Sequence, residues 1–294
     1  MTRYFQLIGL GLFVFITACK QESKSETSVN NQEEKNSVTV AQIANTLSAT
    51  LVSKGFKIIA DVDHQAGAKK VGLPLRPTRT LIFGNPKGGT LLMQQNQAIG
   101  IDLPLKVVVW EDDQAKVNIN YYNGTDLTGR YGITEPAAVI TKIDGMFAAV
   151  TGDSGKRLAQ EALLNSAELI SKKSAYNAEL TFERLQKIVK EKGLSIMAVV
   201  PHDKAAASVD LELRPTRLLV FGNPKVGTLL MQNDQRIGLD LPLKVLVHEN
   251  EAGETMVSYY NASTLARRYG IEDREEVVQK INGALSGITD AVIK

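Results

Sequence analysis

The strongest constraint on this chain of 294 residues is an internal duplication. The segment RPTRTLIFGNPKGGTLLMQ begins at Arg76, and RPTRLLVFGNPKVGTLLMQ begins 138 residues later, at Arg214. The same offset relates two Asp-Leu-Pro-Leu-Lys segments, which begin at Asp102 and Asp240. A period this long indicates a duplicated domain, because the units of solenoid repeats are roughly 20 to 50 residues long.

The duplication and the composition divide the chain into five parts. The chain is 44% hydrophobic and 22% charged, an ordinary globular composition that can supply a core to each repeat. A stretch rich in Ser, Glu, Asn and Gln precedes the first repeat and cannot bury enough apolar surface to offset its chain entropy. We assign residues 1–18 to a leader, 19–37 to a flexible tether, 38–155 to the first repeat, 156–174 to a charged helical linker and 175–294 to the second repeat.

The leader predicts the location of the protein. An uncharged apolar stretch from Tyr4 to Thr17 follows Arg3, and it is shorter than the roughly 20 residues that span a bilayer as a helix. It ends in Ile16-Thr17-Ala18-Cys19, which resembles the lipobox of bacterial lipoproteins. The resemblance implies cleavage before Cys19 and a lipid anchor on its sulfur, with the alternative of an uncleaved N-terminal anchor. Because Lys20 rather than aspartate follows, we expect the periplasmic face of the outer membrane in the bacterial cell envelope.

Periodicity in the first repeat predicts an α+β domain. Val40, Ala44, Leu47 and Leu51 have helical spacing, and Gly55 ends that helix. Further helices are expected over 89–99 and 135–150, and strands over 56–62, 80–83, 105–110 and 116–122. About four strands that include a hairpin favour a two-layer α+β fold with a mainly antiparallel sheet. We expect the two copies to pack face to face as an intramolecular pseudo-dimer.

Composition excludes several classes of function. The chain has 34 Lys and Arg against 32 Asp and Glu, so its formal charge of +2 gives no strong field for recruiting nucleic acid. One cysteine cannot form an internal disulfide or a thiolate metal site. We therefore predict no cofactor, no metal and no nucleic-acid partner.

Three motifs occur in both repeats and carry a family resemblance. They are Leu-x-Leu-Arg-Pro-Thr-Arg, Phe-Gly-Asn-Pro-Lys-x-Gly-Thr-Leu-Leu-Met-Gln and Asp-Leu-Pro-Leu-Lys-Val. They resemble the domain-of-unknown-function family 302 over essentially the whole of both repeats. The resemblance implies a compact α+β domain that tends to self-associate, and it brings no established reaction.

A Gly-Asn-Pro-Lys-x-Gly-Thr loop between a strand and a helix is a candidate anion site. Backbone amides at a helix N-terminus attract carboxylates and phosphates, and a lysine in the loop would add charge. The alternative is a tight turn in which Thr90 caps the helix. The candidate ligand-binding residues of the loops are Asn85, Lys87, Gly89, Thr90, Asn223, Lys225, Gly227 and Thr228.

Two arginines in each repeat bracket a Pro-Thr pair immediately before a predicted strand. The planar guanidinium suits a carboxylate or a phosphate, so Arg76 and Arg79, with their counterparts Arg214 and Arg217, are further ligand-binding candidates. If one of them points toward the loop, the two features form an anion pocket. The alternative is a structural ion pair, for instance with Asp102.

The candidate catalytic residues are one shared histidine and one aspartate per repeat. His64 and His202 end the first predicted strand of each copy, and a histidine there could act as a general base beside Asp102 or Asp240. Neither a Gly-x-Ser-x-Gly elbow nor a His-x-x-x-His spacing occurs in the sequence. The incomplete constellation favours a module that binds a small anion or an envelope protein, with an enzyme of unknown reaction as the alternative.

Overall fold

The computed structural model describes residues 38–158 and 168–294. The predicted leader and tether, Cys19 and the middle of the predicted linker lie outside the described residues. Within the described residues, no helix combines the length and the apolarity that a transmembrane span requires.

The first repeat contains five helices, five strands and two 3-10 turns, at Gln97–Ile101 and Gly152–Ser154. The helix α1 ends at Ser53, and Gly55 takes the left-handed conformation (φ 82°), as the sequence predicts. The bounds are α1 (Val40–Ser53), β1 (Lys57–Asp63), α2 (His64–Lys70), β2 (Thr78–Gly84), α3 (Pro86–Gln95), β3 (Leu105–Glu111), β4 (Val117–Tyr121), α4 (Gly124–Gly129), α5 (Ala137–Thr151) and β5 (Gly155–Arg157).

The second repeat has the same helices and core strands, with a 3-10 turn at Gln235–Leu239. Its edge strand, however, comes before the first helix and not after the last one. The bounds are β6 (Leu169–Lys173), α6 (Ala178–Glu191), β7 (Ser195–Pro201), α7 (His202–Ala207), β8 (Thr216–Gly222), α8 (Pro224–Met231), β9 (Leu243–Glu249), β10 (Thr255–Tyr260), α9 (Ala262–Arg268) and α10 (Glu275–Ile293).

Each repeat folds around one mainly antiparallel sheet, which confirms the predicted α+β class. The strand orders are β1-β2-β3-β4-β5 and β6-β10-β9-β8-β7. Four strands of the first sheet are antiparallel, and β5 joins β4 in parallel. The prediction of about four strands per sheet therefore misses one edge strand in each repeat.

The predicted helical linker differs from the structure at both of its ends. Gly155–Arg157 and Leu169–Lys173 are strands, and residues 159–167 lie outside the described residues. The reason is tertiary, since β4 and β10 each offer an unpaired row of backbone N–H and C=O groups at a sheet edge. Pairing with those edges overrides the helix propensity of a charged segment.

The two sheets face each other between outer layers of helices. In β8, Leu219 and Phe221 pack in a core with residues of α6 and α10, whereas Leu218 and Val220 belong to a core shared with the first repeat. Successive side chains of a strand point to opposite faces, so the central strand β8 is buried on both of its faces. Residues 38–294 form one compact unit with the layers helix, sheet, sheet, helix.

Candidate functional site

Two cavities between the repeats each join a histidine of one repeat to the loop of the other. The cavity that we name the His64 pocket has a volume of about 190 Å³ and joins His64 of the first repeat to the loop at Asn223. The His202 pocket has a volume of about 330 Å³ and joins His202 of the second repeat to the loop at Asn85. The 138-residue offset relates His64 to His202 and Asn85 to Asn223, so the duplication makes the two pockets equivalent.

The helix contacts explain why each pocket needs both repeats. The helix α2, which begins at His64, packs against α8, and α7, which begins at His202, packs against α3. The loop of one repeat therefore lies beside the histidine of the other. Most of the lining is apolar, for example Met93, Leu103 and Ile143 in the His202 pocket.

Both histidines bond through their Nε2 atoms, His202 to the opposite repeat and His64 to a threonine of its own repeat that in turn bonds to the opposite one. His202 Nε2 donates to the carbonyl oxygen of Gly100 at 3.1 Å. His64 Nε2 lies 3.0 Å from Thr80 Oγ1, and because that hydroxyl donates to Gly238 O at 3.0 Å, the histidine is the donor. Burial lowers the pKa of each histidine to about 4, so both rings are neutral at pH 7 with the proton on Nε2.

In the loop that the sequence predicts as an anion site, the backbone amides are already bonded to the loop's own asparagine. The helix α3 begins at Pro86, not near Thr90, and Asn85 is its N-cap residue. Asn85 Oδ1 accepts from the N–H groups of Lys87 and Gly88, and Asn85 O accepts from Gly89 N–H. Thr90 donates to Pro86 O at 2.8 Å, so it is not a cap. The amides that would hold an anion there are already bonded, and Pro86 has no N–H.

We expect Asn85→Ala to lower the free energy of unfolding by about 1 kcal/mol, because it removes the acceptor for two helix N-terminal amides. Asn85→Asp keeps that acceptor and should cost much less. Urea unfolding of both variants measures the difference. Equal losses in the two variants would contradict the capping role.

The four predicted arginines lie away from the loops. Arg79 forms an ion pair with Asp61 at 2.6 Å and contacts Asn45, and Arg217 is paired with Glu179 and Asp203. Neither reaches Asp102, so the ion pair that the sequence suggested is not formed.

The other two arginines join the repeats. Arg76 donates from Nε to Gln235 Oε1 at 3.0 Å, and Arg214 donates from Nε to Gln97 Oε1 at the same distance. This reciprocal pair of contacts follows the 138-residue offset. It uses the guanidinium groups within the protein and not at either pocket.

The structure brings eight of the predicted residues to the pockets. Lys87 and Lys225 are exposed and do not line them. The loop and histidine residues that do line them are Asn85, Gly89, Thr90 and His202 in one pocket and Asn223, Gly227, Thr228 and His64 in the other.

The predicted aspartates lie in a different place, a buried polar cluster at the centre of the interface. Asp102 accepts from Arg130 Nη1 at 3.0 Å and from Tyr131 Oη at 2.7 Å. Asp240 has the equivalent contacts with Arg268 at 3.3 Å and with Tyr269 at 2.9 Å. The cluster, which we name the central cluster, consists of Asp102, Lys106, Tyr122, Arg130, Tyr131, Asp240, Lys244, Tyr260, Arg268 and Tyr269.

Two hydrogen-bonded pairs of tyrosines connect the halves of the central cluster across the interface. Tyr131 Oη lies 2.9 Å from Tyr260 Oη, and Tyr122 Oη lies 2.7 Å from Tyr269 Oη. Since Tyr131 and Tyr269 donate to the aspartates, each receives a hydrogen bond from the tyrosine of the other repeat. A chain Tyr–Tyr–Asp therefore runs from one repeat into the other on each side.

The electrostatics of the central cluster favour ionised aspartates. Burial alone would raise the pKa of Asp102, but Arg130 and Lys244 hold it well below its usual range. Arg268 and Lys244 do the same for the pKa of Asp240. Burial and the nearby Lys244 lower the pKa of Lys106 to about 7.

The histidine and aspartate of the enzyme hypothesis are not joined. Among the described residues, His64 bonds to Thr80 and Asp102 bonds within the central cluster, with no hydrogen bond or ion pair between the two. Nor does the described part of the chain contain three or more His, Cys, Asp or Glu side chains grouped as metal ligands.

Sequence reasoning missed the arginines and tyrosines of the central cluster as site residues. The available signal was the repetition of Tyr122 and Arg130-Tyr131 at Tyr260 and Arg268-Tyr269. Polar residues that recur among apolar ones in both copies indicate a shared buried network, but their partners come from a distant part of the chain.

Comparison with known families identifies both repeats. The model of the family described as "Domain of unknown function DUF302" matches residues 32–150 and 170–288. The two matches include both histidines, both loops and the whole central cluster.

Curated relatives match over about the length of one repeat. A "Fluoride-specific ion channel FluC 1" of Brucella suis biovar 1 is 39% identical over 108 residues, which is 36% of this chain and 42% of that protein. A protein of the same name from Brucella abortus biovar 1 is 39% identical over 108 residues, or 40% of its length. The chain therefore spans about two fifths of the length of these relatives.

A solved structure also resembles part of the chain. It is the crystal structure of an uncharacterized conserved protein DUF302 from Bacillus stearothermophilus, with 18% identity and a TM-score of 0.39. The match covers 42% of this chain and 97% of that one.

Proposed function

The chain belongs to the DUF302 family in both of its halves, and from this premise we propose that the two domains together form one ligand-binding module with two pockets. The observation that carries the proposal is that each cavity takes its histidine from one repeat and its loop from the other. A single copy of the domain would supply only half of either cavity. The duplication therefore supplies within one chain what a pair of domains would otherwise build.

The lining defines the chemical class of the ligand. Ligand pockets are concave and mostly apolar, with a few polar groups that orient the bound molecule. The His202 pocket has apolar walls, and among the described residues that line it the charged side chains are Lys57 and Lys204. The carboxylates near Lys204, those of Asp203 and Glu179, are paired with Arg217. An apolar molecule with one carboxylate suits this pocket.

The two pockets favour different ligands. The His64 pocket is smaller and is lined by Asp63 as well as Lys280, so its charged groups compensate each other. A cavity of about 150 Å³ holds a benzene ring, so a cavity of 190 Å³ accommodates a small uncharged ring or a short alkyl chain. The larger His202 pocket then selects the acid, and the His64 pocket takes neutral molecules.

We propose the bacterial cell envelope as the location of this module, as the leader predicts. A lipid on Cys19 would hold the module at a membrane, and the tether of residues 19–37 would let it stand away from the surface. Ion conduction, which the names of the Brucella relatives state, is not part of the proposal because the matched segment covers about two fifths of those proteins.

A larger side chain that fills one pocket should weaken the binding of the ligand class proposed for that pocket. A Cβ on Gly89 would lie 3.8 Å from Leu103, and a Cβ on Gly227 would lie 3.8 Å from Leu241, so each position has room for a Cβ, and the rest of a leucine there would occupy space in the cavity that the glycine lines. We expect wild-type protein to bind octanoate more tightly than octanol, and both more tightly than octylamine. Gly89→Leu should weaken octanoate binding at least about tenfold, the loss of roughly 1.4 kcal/mol of pocket contacts. Isothermal titration calorimetry on the full chain measures this.

Matched variants control the experiment. Gly227→Leu fills the His64 pocket and should leave octanoate binding within about twofold of wild type. Gly145→Leu makes the same substitution on an exposed helix position with no atom within 4 Å, and should leave both pockets intact. Equal octanoate affinity in Gly89→Leu and Gly145→Leu would refute the proposed site.

A further inference from the structure

The edge strands β1 and β7 each contain one extra residue where they pair with their neighbours. The register of β1 on β2 shifts by one residue between Ile58 and Ala60, so Ile59 has no partner on β2. The register of β7 on β8 shifts in the same way around Met197. Met197 lies 138 residues after Ile59, so the two β-bulges occupy equivalent positions of the repeats.

The extra residue of each bulge lines one of the two pockets. Ile59 lines the His202 pocket, and Met197 lines the His64 pocket. A β-bulge changes the direction in which a strand presents a side chain, and bulges are frequent beside binding sites for this reason. A bulge on an edge strand also discourages pairing with another molecule. That second role does not require the extra side chain to lie in a cavity, so the lining favours a role in binding.

The two side chains differ in how easily they move. Isoleucine is branched at Cβ, so the χ1 angle of Ile59 is restricted. Methionine is unbranched and has three rotatable bonds, so Met197 adapts to the shape of whatever packs against it. The wall of the His202 pocket is therefore stiff at the bulge, whereas the wall of the His64 pocket is adaptable there.

We propose that Ile59 and Met197 are the residues that determine which ligand shapes the two pockets accept. Ile59 restricts the His202 pocket to straight chains, because its side chain does not move aside for a ring. Met197 lets the His64 pocket accept rings and chains alike. This selectivity belongs to the two pockets described above, so the role of the bulge residues rests on the proposed function.

Pairs of molecules with equal carbon numbers test this role in protein with both bulges intact. Octanoate and cyclohexylacetate have the same charge and differ in shape. Isothermal titration calorimetry on the wild-type chain should show octanoate binding at least about tenfold more tightly, the usual scale of the cost of overpacking a wall. Equal affinities for the two acids would overturn the role of Ile59.

The neutral pair is octanol and 2-cyclohexylethanol. It is measured on Gly89→Leu, in which the His202 pocket is filled, so that binding reports the His64 pocket. The two alcohols should bind within about threefold of each other, because Met197 adapts to both shapes. A tenfold difference between them would overturn the role of Met197.

Exchanging the two side chains should exchange the selectivity. Ile59→Met should reduce the preference for octanoate over cyclohexylacetate to about threefold or less, and Met197→Ile, combined with Gly89→Leu, should create a preference for octanol of at least about tenfold. Leu180→Met alters an exposed residue of α6 outside both pockets and should change neither ratio. Ratios that stay unchanged in Ile59→Met and Met197→Ile would overturn the proposal.

The outcomes separate a failure of the bulge residues from a failure of the pockets. If Gly89→Leu weakens octanoate binding while Ile59→Met keeps the full preference for octanoate, the pocket stands and the role of the bulge is refuted. If octanoate binds equally to wild type, Gly89→Leu and Gly145→Leu, the pocket is refuted and the role of Ile59 with it. Ile59 is 37% exposed, so its substitution should leave the fold intact, and the wild-type ratios decide the matter without any change at the bulges.

Discussion

Replacing Asp102 by asparagine should lower the free energy of unfolding by about 3–5 kcal/mol, the usual cost of removing one partner from a buried ionic network. Asp102 is 1% exposed and accepts from Arg130 and Tyr131, while Lys244 lies 3.6 Å from its other oxygen. An asparagine has nearly the same shape but leaves Arg130 without its paired carboxylate and removes one of the two carboxylates beside Lys244. Urea unfolding at pH 7 measures the loss.

The matched control is Asp61→Asn. Asp61 also pairs with an arginine, Arg79, at 2.6 Å, but its side chain is 30% exposed. Exposed ion pairs contribute about 0–1 kcal/mol, so this variant should stay close to wild type. Losses of similar size in the two variants would show that the central cluster contributes no more than a surface pair.

The loss caused by Asp102→Asn should also depend on pH. The folded protein holds the pKa of Asp102 well below its usual range, so this carboxylate stabilises the fold fully above the unfolded pKa of about 3.9. As the pH falls from about 4 toward the folded pKa, that contribution is lost. The difference between wild type and variant should therefore shrink below pH 4.

The second large effect is expected for Gly238→Leu, which should cost about 3 kcal/mol by forcing the sheets apart. A Cβ on Gly238 would lie 3.0 Å from Thr80 Oγ1 and 3.1 Å from Val108 Cγ2, both in the opposite sheet. A leucine would add three further carbons to that space. It would also disturb the hydrogen bond from Thr80 to Gly238 O, on which the His64 contact depends.

Two variants bracket this prediction. Gly287→Leu places leucine at an exposed position of α10 with no atom within 4 Å, and should leave the free energy of unfolding unchanged or raise it by about 1 kcal/mol. Gly238→Ala adds only the Cβ and should cost less than leucine. Chemical denaturation compares the three, and a stability of Gly238→Leu equal to that of Gly287→Leu would contradict the close approach of the sheets.

The sequence predicted the domain architecture because the relevant information is local and appears twice. The spacing of Val40 to Leu51 specified α1, and the β-rich apolar runs Thr80–Phe83 and Leu105–Trp110 specified two central strands. An exact 138-residue offset needs no tertiary information to be recognised. Family membership follows from the same motifs, and both matches confirm it.

Prediction from the local sequence was wrong about the cap of α3 and about the structure of residues 155–157. Thr90 and Asn85 both have side chains that could cap α3, and the position of Pro86 at the first helical turn decides for Asn85. The residues 155–157 have no strong strand signal, and only the exposed edge of β4 makes them a strand. The first outcome follows from a neighbouring proline, whereas the second depends on β4, which the local pattern of residues 155–157 does not contain.

By itself, the sequence determined the two domains, their α+β class and the residue types available for a site. Only the tertiary structure decided which of those residues meet. It placed His202 with the loop at Asn85, and Asp102 with Tyr260, across separations of more than a hundred residues. The physical reason is that each sheet has a second apolar face that must be buried, and its partner is the other repeat. That packing creates the pockets and the central cluster together.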